Sequence, residues 1–158
     1  MTSEQMLIAG EWTDAEDGST SDVLNPATGE VIATTPRATI TDVERCVAAS
    51  RVALKSKDWA AMDPAQRGRI LQKMAAATYA NAKSLAAIES SNNGKTFREA
   101  LSEIRYGAWT LEYFAGLSDK IEGSTIPVPG NRLNYTLRQP LGVTAHIVPW
   151  NFPLQLAI

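Results

Sequence analysis

A chain of 158 residues that is 44% hydrophobic and 20% charged has the composition of an ordinary globular domain, which excludes a wholly disordered tail. A formal net charge of −2 and the lack of any Lys/Arg-rich stripe give no reason to expect nucleic acid, and no run approaches the roughly 18 apolar residues of a membrane span. With one cysteine, no internal disulfide and no basic leader region in MTSEQMLIAGEW, the expected compartment is the cytoplasm.

Short strands and turns are predicted first. Leu7-Ile8 and Glu11-Trp12 flank Ala9-Gly10, a tight turn in which glycine takes a positive φ cheaply. A second hairpin centres on Asn25-Pro26-Ala27-Thr28-Gly29, between Val23-Leu24 and Val31-Ile32. Three amphipathic helices follow. The first has Thr41 and Glu44 as a capping box and an apolar stripe of Val43, Cys46, Val47, Ala53 and Leu54. The second starts at Asp63-Pro64-Ala65-Gln66, runs through Ile70, Leu71, Met74, Thr78, Leu85 and Ile88, and stops near Asn93-Gly94. Phe97, Leu101, Ile104, Ala108, Leu111 and Ala115 define the third.

The last segment differs in character. Pro129-Gly130 suits a type II turn, and residues 132–138 alternate as a half-exposed strand would. Val143-Thr144-Ala145-His146-Ile147-Val148 is β-branched and weakly polar, the pattern of a strand buried on both faces of a parallel sheet. Asn151 is placed to cap a helix beginning Phe152-Pro153-Leu154, which lacks a C-capping glycine or a polar tail before Ile158. The expectation is therefore a fragment that stops within an element of an α/β domain.

Val148-Pro149-Trp150-Asn151-Phe152-Pro153, after the strand at Val143 to Ile147, resembles a segment of the aldehyde dehydrogenase superfamily. So do Asn25-Pro26-Ala27-Thr28-Gly29-Glu30-Val31-Ile32, Arg67-Gly68-Arg69-Ile70-Leu71, Asn93-Gly94-Lys95 and Ala115 to Ile121, in the same order. The resemblance spans nearly the whole chain. It implies the N-terminal part of a Rossmann-like cofactor-binding domain: hairpins and helices over 1–125, an extended oligomerisation-type segment over 126–141, and the first strand and helix of the core over 142–158.

It also implies oxidation of an aldehyde with NAD or NADP, through attack by a cysteine thiolate, hydride transfer, and thioester hydrolysis by water activated by a glutamate. A neutral carboxamide can donate to the developing oxyanion without titrating. Asn151 matches the family's asparagine in that role, and the backbone of Val148, Pro149, Trp150 and Asn151 matches the border of the cofactor site. A homo-oligomer is implied for the complete enzyme.

Other chemistry-bearing residues have ordinary readings. On the residues alone, Asn151 is first a helix N-cap, and both roles are compatible. Cys46 reads as a buried structural thiol and His146 as a structural histidine within a strand, while Asp14, Glu16 and Asp17 form a solvated turn. Trp109, Tyr135, Trp150 and Phe152 have packing roles available. There is no metal-ligand spacing, no Gly-x-Gly-x-x-Gly, no second cysteine and no candidate catalytic glutamate. The isolated chain is thus expected to be inactive. A non-catalytic remnant that pairs with another subunit or a complementary chain is the alternative, ahead of a self-standing nucleotide-binding module.

Overall fold

The computed structural model describes residues 2–158. Its strands β1 (Thr2–Ser3), β2 (Met6–Ile8), β3 (Glu11–Thr13), β4 (Thr20–Leu24) and β5 (Val31–Pro36) form two small sheets. β2 and β3 pair across Ala9-Gly10, where both residues have positive φ (56° and 85°), the combination that a two-residue hairpin turn demands. β5 pairs antiparallel with β4 and parallel with β1. The β4–β5 turn is made as its residues suggest: Asn25 Oδ1 accepts from Ala27 N–H at 2.9 Å, and Gly29, at φ 74°, donates to the Asn25 carbonyl at 2.8 Å.

Six helices follow in two groups. The first five are α1 (Ile40–Lys55), α2 (Lys57–Ala60), α3 (Pro64–Ala80), α4 (Ala82–Asn93) and α5 (Phe97–Leu117). Asp63 and Gln66 close the expected box on α3, and Gly94 ends α4 at φ 81°. Two expectations are corrected. The helix predicted to run from Asp63 to Asn93 breaks at Asn81, whose side chain donates to the Ala77 carbonyl at 2.8 Å and competes with the helical ladder. The box on α1 is Thr39 with Asp42, two residues before the predicted Thr41 and Glu44. Asp42, only 1% exposed, accepts from Thr39 N–H and Oγ1 (2.9 Å each), from Glu16 N–H (3.2 Å) and from Arg45 (3.3 Å). The Glu16 contact comes from 26 residues away and is invisible to local pattern reading.

The core lies where α5 packs against α3 and α4. Ala100, Ile104, Gly107, Ala108, Leu111 and Ala115 recur at helical spacing on its buried face, opposite Ala75, Ala82 and Ala86. Small side chains let the axes approach closely. At Gly68 of α3 a Cβ would lie 2.7 Å from the Ala115 carbonyl and would also collide with Ser118 Oγ, so only glycine fits. The opposite face of α5 carries a row of half-exposed aromatics, with Tyr106 and Trp109 5.5 Å apart and Trp109 and Tyr113 5.9 Å apart.

Beyond α5, β6 (Thr125–Ile126) and β7 (Asn134–Tyr135) form a short exposed hairpin, so that only Asn134–Tyr135 of the half-exposed strand expected over 132–138 is formed. The buried parallel strand expected at 143–148 is not formed. Among the described residues nothing offers it neighbouring strands, so it is irregular and its side chains are uncovered, with Ile147 99% exposed. α6 (Pro153–Ala157) closes the chain. Its cap is Phe152, without any side-chain bond, so Asn151 is not the predicted N-cap. No helix among the described residues is long and apolar enough to cross a membrane.

Gly68→Ala is expected to destabilise the fold by about 1–3 kcal/mol through overpacking at the α3–α5 crossing, read as a lower urea midpoint at unchanged slope. The hydrogen bonds from Thr39 hold the Asp42 carboxyl below its ordinary value of 3.8, against the opposing effect of its burial. A depressed folded pKa contributes stability above the unfolded value, lost as pH falls through the folded one. Asp42→Asn is therefore expected to lower Tm at pH 7 by about 5 °C or more, with the gap to the parent closing as pH is taken below 3.8.

Candidate active-site segment

Val148, Pro149, Trp150 and Asn151 enter a turn in which Phe152 N–H donates to the Pro149 carbonyl at 3.3 Å. Val148 is half-buried, whereas Pro149, Trp150 and Asn151 are exposed. Pro153 then opens α6, where its lack of an N–H costs nothing. Two contacts seat this short helix. Leu154 packs on the cluster of Ala82, Ala86, Ala100 and Ile104, and α6 crosses α5 at Gly107, where a Cβ would stand 3.0 Å from Ile158 Cδ1.

A third contact is polar and reaches Asn151 itself. Lys95, in the turn between α4 and α5, donates from Nζ to the Asn151 main-chain carbonyl at 2.5 Å, to Glu89 Oε1 at 2.9 Å and to Glu103. Its ammonium lies 4.7 Å from the centre of the Phe152 ring. The Lys95 backbone is held as well, its N–H by Asn93 Oδ1 at 3.1 Å and its carbonyl by Ser90 Oγ at 2.7 Å. The side chains of Lys95, Glu89 and Glu103 are only 14%, 6% and 18% exposed. Burial alone would lower the Lys95 pKa, but the bonds to Glu103 and Glu89 outweigh it and hold the ammonium above its ordinary value. The Glu89 carboxyl is pushed up, first by burial and further by Glu103, with Lys95 opposing.

The other candidates lie apart from this segment. Cys46 is exposed on α1, which corrects the buried thiol expected there: α1 is met by α2 and β2 and its stripe is left largely open. It borders a groove of about 600 Å³ between α1 and residues 141–145. A second groove of about 560 Å³ is lined by Ser50, Leu54, Trp59, Met62 and Val143 among others. Neither is lined by any residue from Val148 to Pro153. His146, expected inside a strand, is exposed and meets only the Thr144 hydroxyl at 3.2 Å. Asp14, Glu16 and Asp17 form the solvated turn expected of them, with Asp17 accepting from Ser19 N–H at 2.9 Å. Among the described residues there is no group of three or more potential metal ligands.

Sequence reading missed the Lys95–Glu89–Glu103 cluster. One signal was present: Glu89 follows Leu85 by four residues and Ile88 by one, which places a carboxylate in an apolar stripe.

The profile of the aldehyde dehydrogenase family matches residues 12–158. Hydroxyisobutyraldehyde dehydrogenase of Mycolicibacterium austroafricanum is 43% identical over 150 residues, covering 94% of this chain and 29% of the relative. Human mitochondrial 10-formyltetrahydrofolate dehydrogenase is 40% identical over 157 residues, covering 96% of this chain and 17% of that protein. The crystal structure of an NAD-dependent aldehyde dehydrogenase from Sinorhizobium meliloti superposes with a TM-score of 0.92 at 41% identity, over 98% of this chain and 31% of that one. The chain thus spans less than a third of the length of these relatives.

A raised folded pKa on an acid means that the folded state binds its proton more tightly, so stability falls as pH rises from the ordinary glutamate value toward the folded one. Glu89→Gln is expected to remove that slope above pH 4.5, with its urea midpoint gaining on the parent's as pH increases to 7. Parallel curves for the two proteins would show that Glu89 titrates normally.

Proposed function

We propose, for a chain that belongs to the aldehyde dehydrogenase family, that it supplies the oxyanion donor and part of the cofactor border of an enzyme oxidising an aldehyde to a carboxylic acid with NAD or NADP. The observation that carries this reading is the exposed turn Pro149–Asn151, with Asn151 anchored through its carbonyl and exposed to solvent. In this reading residues 1–125 are the hairpins and helices of the cofactor-binding domain. Residues 126–141 reach an oligomerisation surface, and 142–158 begin the Rossmann-like core.

Attack on an aldehyde carbonyl places negative charge on its oxygen. The Asn151 carboxamide offers neutral N–H donors to that oxygen and introduces no charge to repel it. Pinning the Asn151 carbonyl beforehand means that little reorganisation is needed when the charge appears. In this reading the exposed residues Pro149 to Asn151, beside half-buried Val148, border the cofactor. A nicotinamide cofactor bound there would supply the hydride acceptor. Cys46 stands on the open face of α1, in a groove that no residue from Val148 to Pro153 lines, and in this reading it is not the nucleophile. Relatives named as NAD-dependent or aldehyde dehydrogenases support the reading.

A second reading, a non-catalytic piece that pairs with a complementary chain or subunit, is favoured by uncovered apolar residues at Val43 (55% exposed), Leu141 (98%) and Ile147 (99%).

The test is a chimera in which this chain replaces the matched 150 residues of the Mycolicibacterium relative. NADH formation from hydroxyisobutyraldehyde is expected from the chimera and not from the isolated chain. Asn151→Ala should lower its kcat by about 10²–10³-fold. An Asn151→Ala chimera as fast as its parent, or turnover by the chain alone, would sink the proposal.

A further inference from the structure

We propose that Lys95, gripped between Glu89 and Glu103, is the positioning residue that sets the orientation of Asn151 for oxyanion binding; this rests on the function proposed above. The local chain cannot set that orientation unaided. α6 has five residues and no side-chain cap, far below the length at which a helix holds itself in water. Asn151 lies before its first turn, and the local tether of the peptide that follows it is the long bond from Phe152 N–H to the Pro149 carbonyl (3.3 Å), which leaves the Asn151 carbonyl freedom to swing. The Lys95 bond to the Asn151 carbonyl removes this freedom from one side, while Leu154 in the α4–α5 cluster removes it from the other.

The ammonium suits this task by geometry and by charge. It has three N–H donors, and the structure provides three acceptors: Glu89, Glu103 and the Asn151 carbonyl. Every donor is engaged, so the lysine has no alternative pose to adopt. Glu89 belongs to α4 and Glu103 to α5, which makes the position of Nζ a readout of how those two helices pack. Lys95 leaves the α4–α5 turn with its own N–H and carbonyl both bonded, and Gly94 before it sits so close to Pro26 that a Cβ would lie 2.9 Å from the Pro26 ring. The α4–α5 packing and the Asn151 turn thus meet at one side chain, and the β4–β5 hairpin packs against the glycine before it. A donor displaced by about 1 Å can cost roughly 10²-fold in rate, which gives such an anchor a catalytic consequence without its touching substrate.

A lysine that merely stabilised the helices would act equally with or without the Asn151 amide; a positioning lysine acts only through it. Two measurements separate these roles. Amide exchange at Phe152 and Leu156 in the 158-residue chain is expected to accelerate about 10-fold or more in Lys95→Met. This variant keeps most of the apolar stem but loses all three donors. The α3 amides should be unaffected, as should every amide in the surface control Lys120→Met. In the chimera, Lys95→Met should lower kcat by about 10–100-fold with KM for the aldehyde unchanged. Lys95→Arg should recover part of the loss, and Lys95→Met should add nothing once Asn151 is alanine.

If Lys95→Met does not fold, Glu103→Gln should give the same pattern at smaller amplitude. Unchanged exchange at Phe152 and Leu156 in a folded variant, or a kcat loss that persists in full on the Asn151→Ala background, overturns the proposal. If Asn151→Ala leaves the chimera's rate intact, the functional reading fails instead, and the exchange data still decide whether Lys95 anchors the turn.

Discussion

Close approach of α5 to its two neighbours is the constraint from which the remaining geometry follows. Alanines at 75, 82, 86, 100, 108 and 115 and Gly68 line these contacts, so the helices meet near backbone to backbone. A core of small residues removes little apolar area per side chain, and its strength lies in the continuity and density of contact. It also defines positions sharply, because alanine and glycine have no side-chain rotamers with which to adjust. α6 is placed by that platform: Leu154 fits the α4–α5 cluster, and the end of the chain lies over Gly107.

Charge does the work of tying loops to the platform. Asp42 joins the start of α1 to the loop at Glu16, and Lys95 joins the α4–α5 turn to the Asn151 turn. Each is a buried charge with its hydrogen-bonding capacity engaged, the condition under which burying a charge does not destabilise. They differ in balance. Asp42 is a single carboxylate fed by several donors, and its ionised form is favoured. Around Lys95 two carboxylates share one ammonium, so the less exposed of them, Glu89, resists ionisation. The cluster is thereby built around a lysine that stays charged, which is what a fixed bond to a main-chain carbonyl requires.

Much of the local structure was legible in the residues. The Ala9-Gly10 and Asn25-to-Gly29 turns, the Asp63 cap and the Gly94 stop each depend on chemistry within a few positions. The misreadings share a cause. Asn81 looked like an acceptable helix residue until its side chain took the Ala77 carbonyl, and Thr39 won the α1 cap because Asp42 found a partner in Glu16. At Val143 to Val148 the β-branched pattern was real, but a parallel strand exists only when paired, and these residues have no partner strand among those described.

By itself, the sequence determined the two early hairpin turns, the Asp63 start, the Gly94 stop and the motif containing Asn151, because turn chemistry and capping act over a few residues. Tertiary structure decided which side chains reach one another. It placed Lys95 against an asparagine 56 residues away and exposed Cys46 on an uncovered helix face. It also made Gly68 a requirement of helix crossing. Such outcomes depend on distances between elements, and distance in the fold is set by packing, which no spacing along the chain encodes.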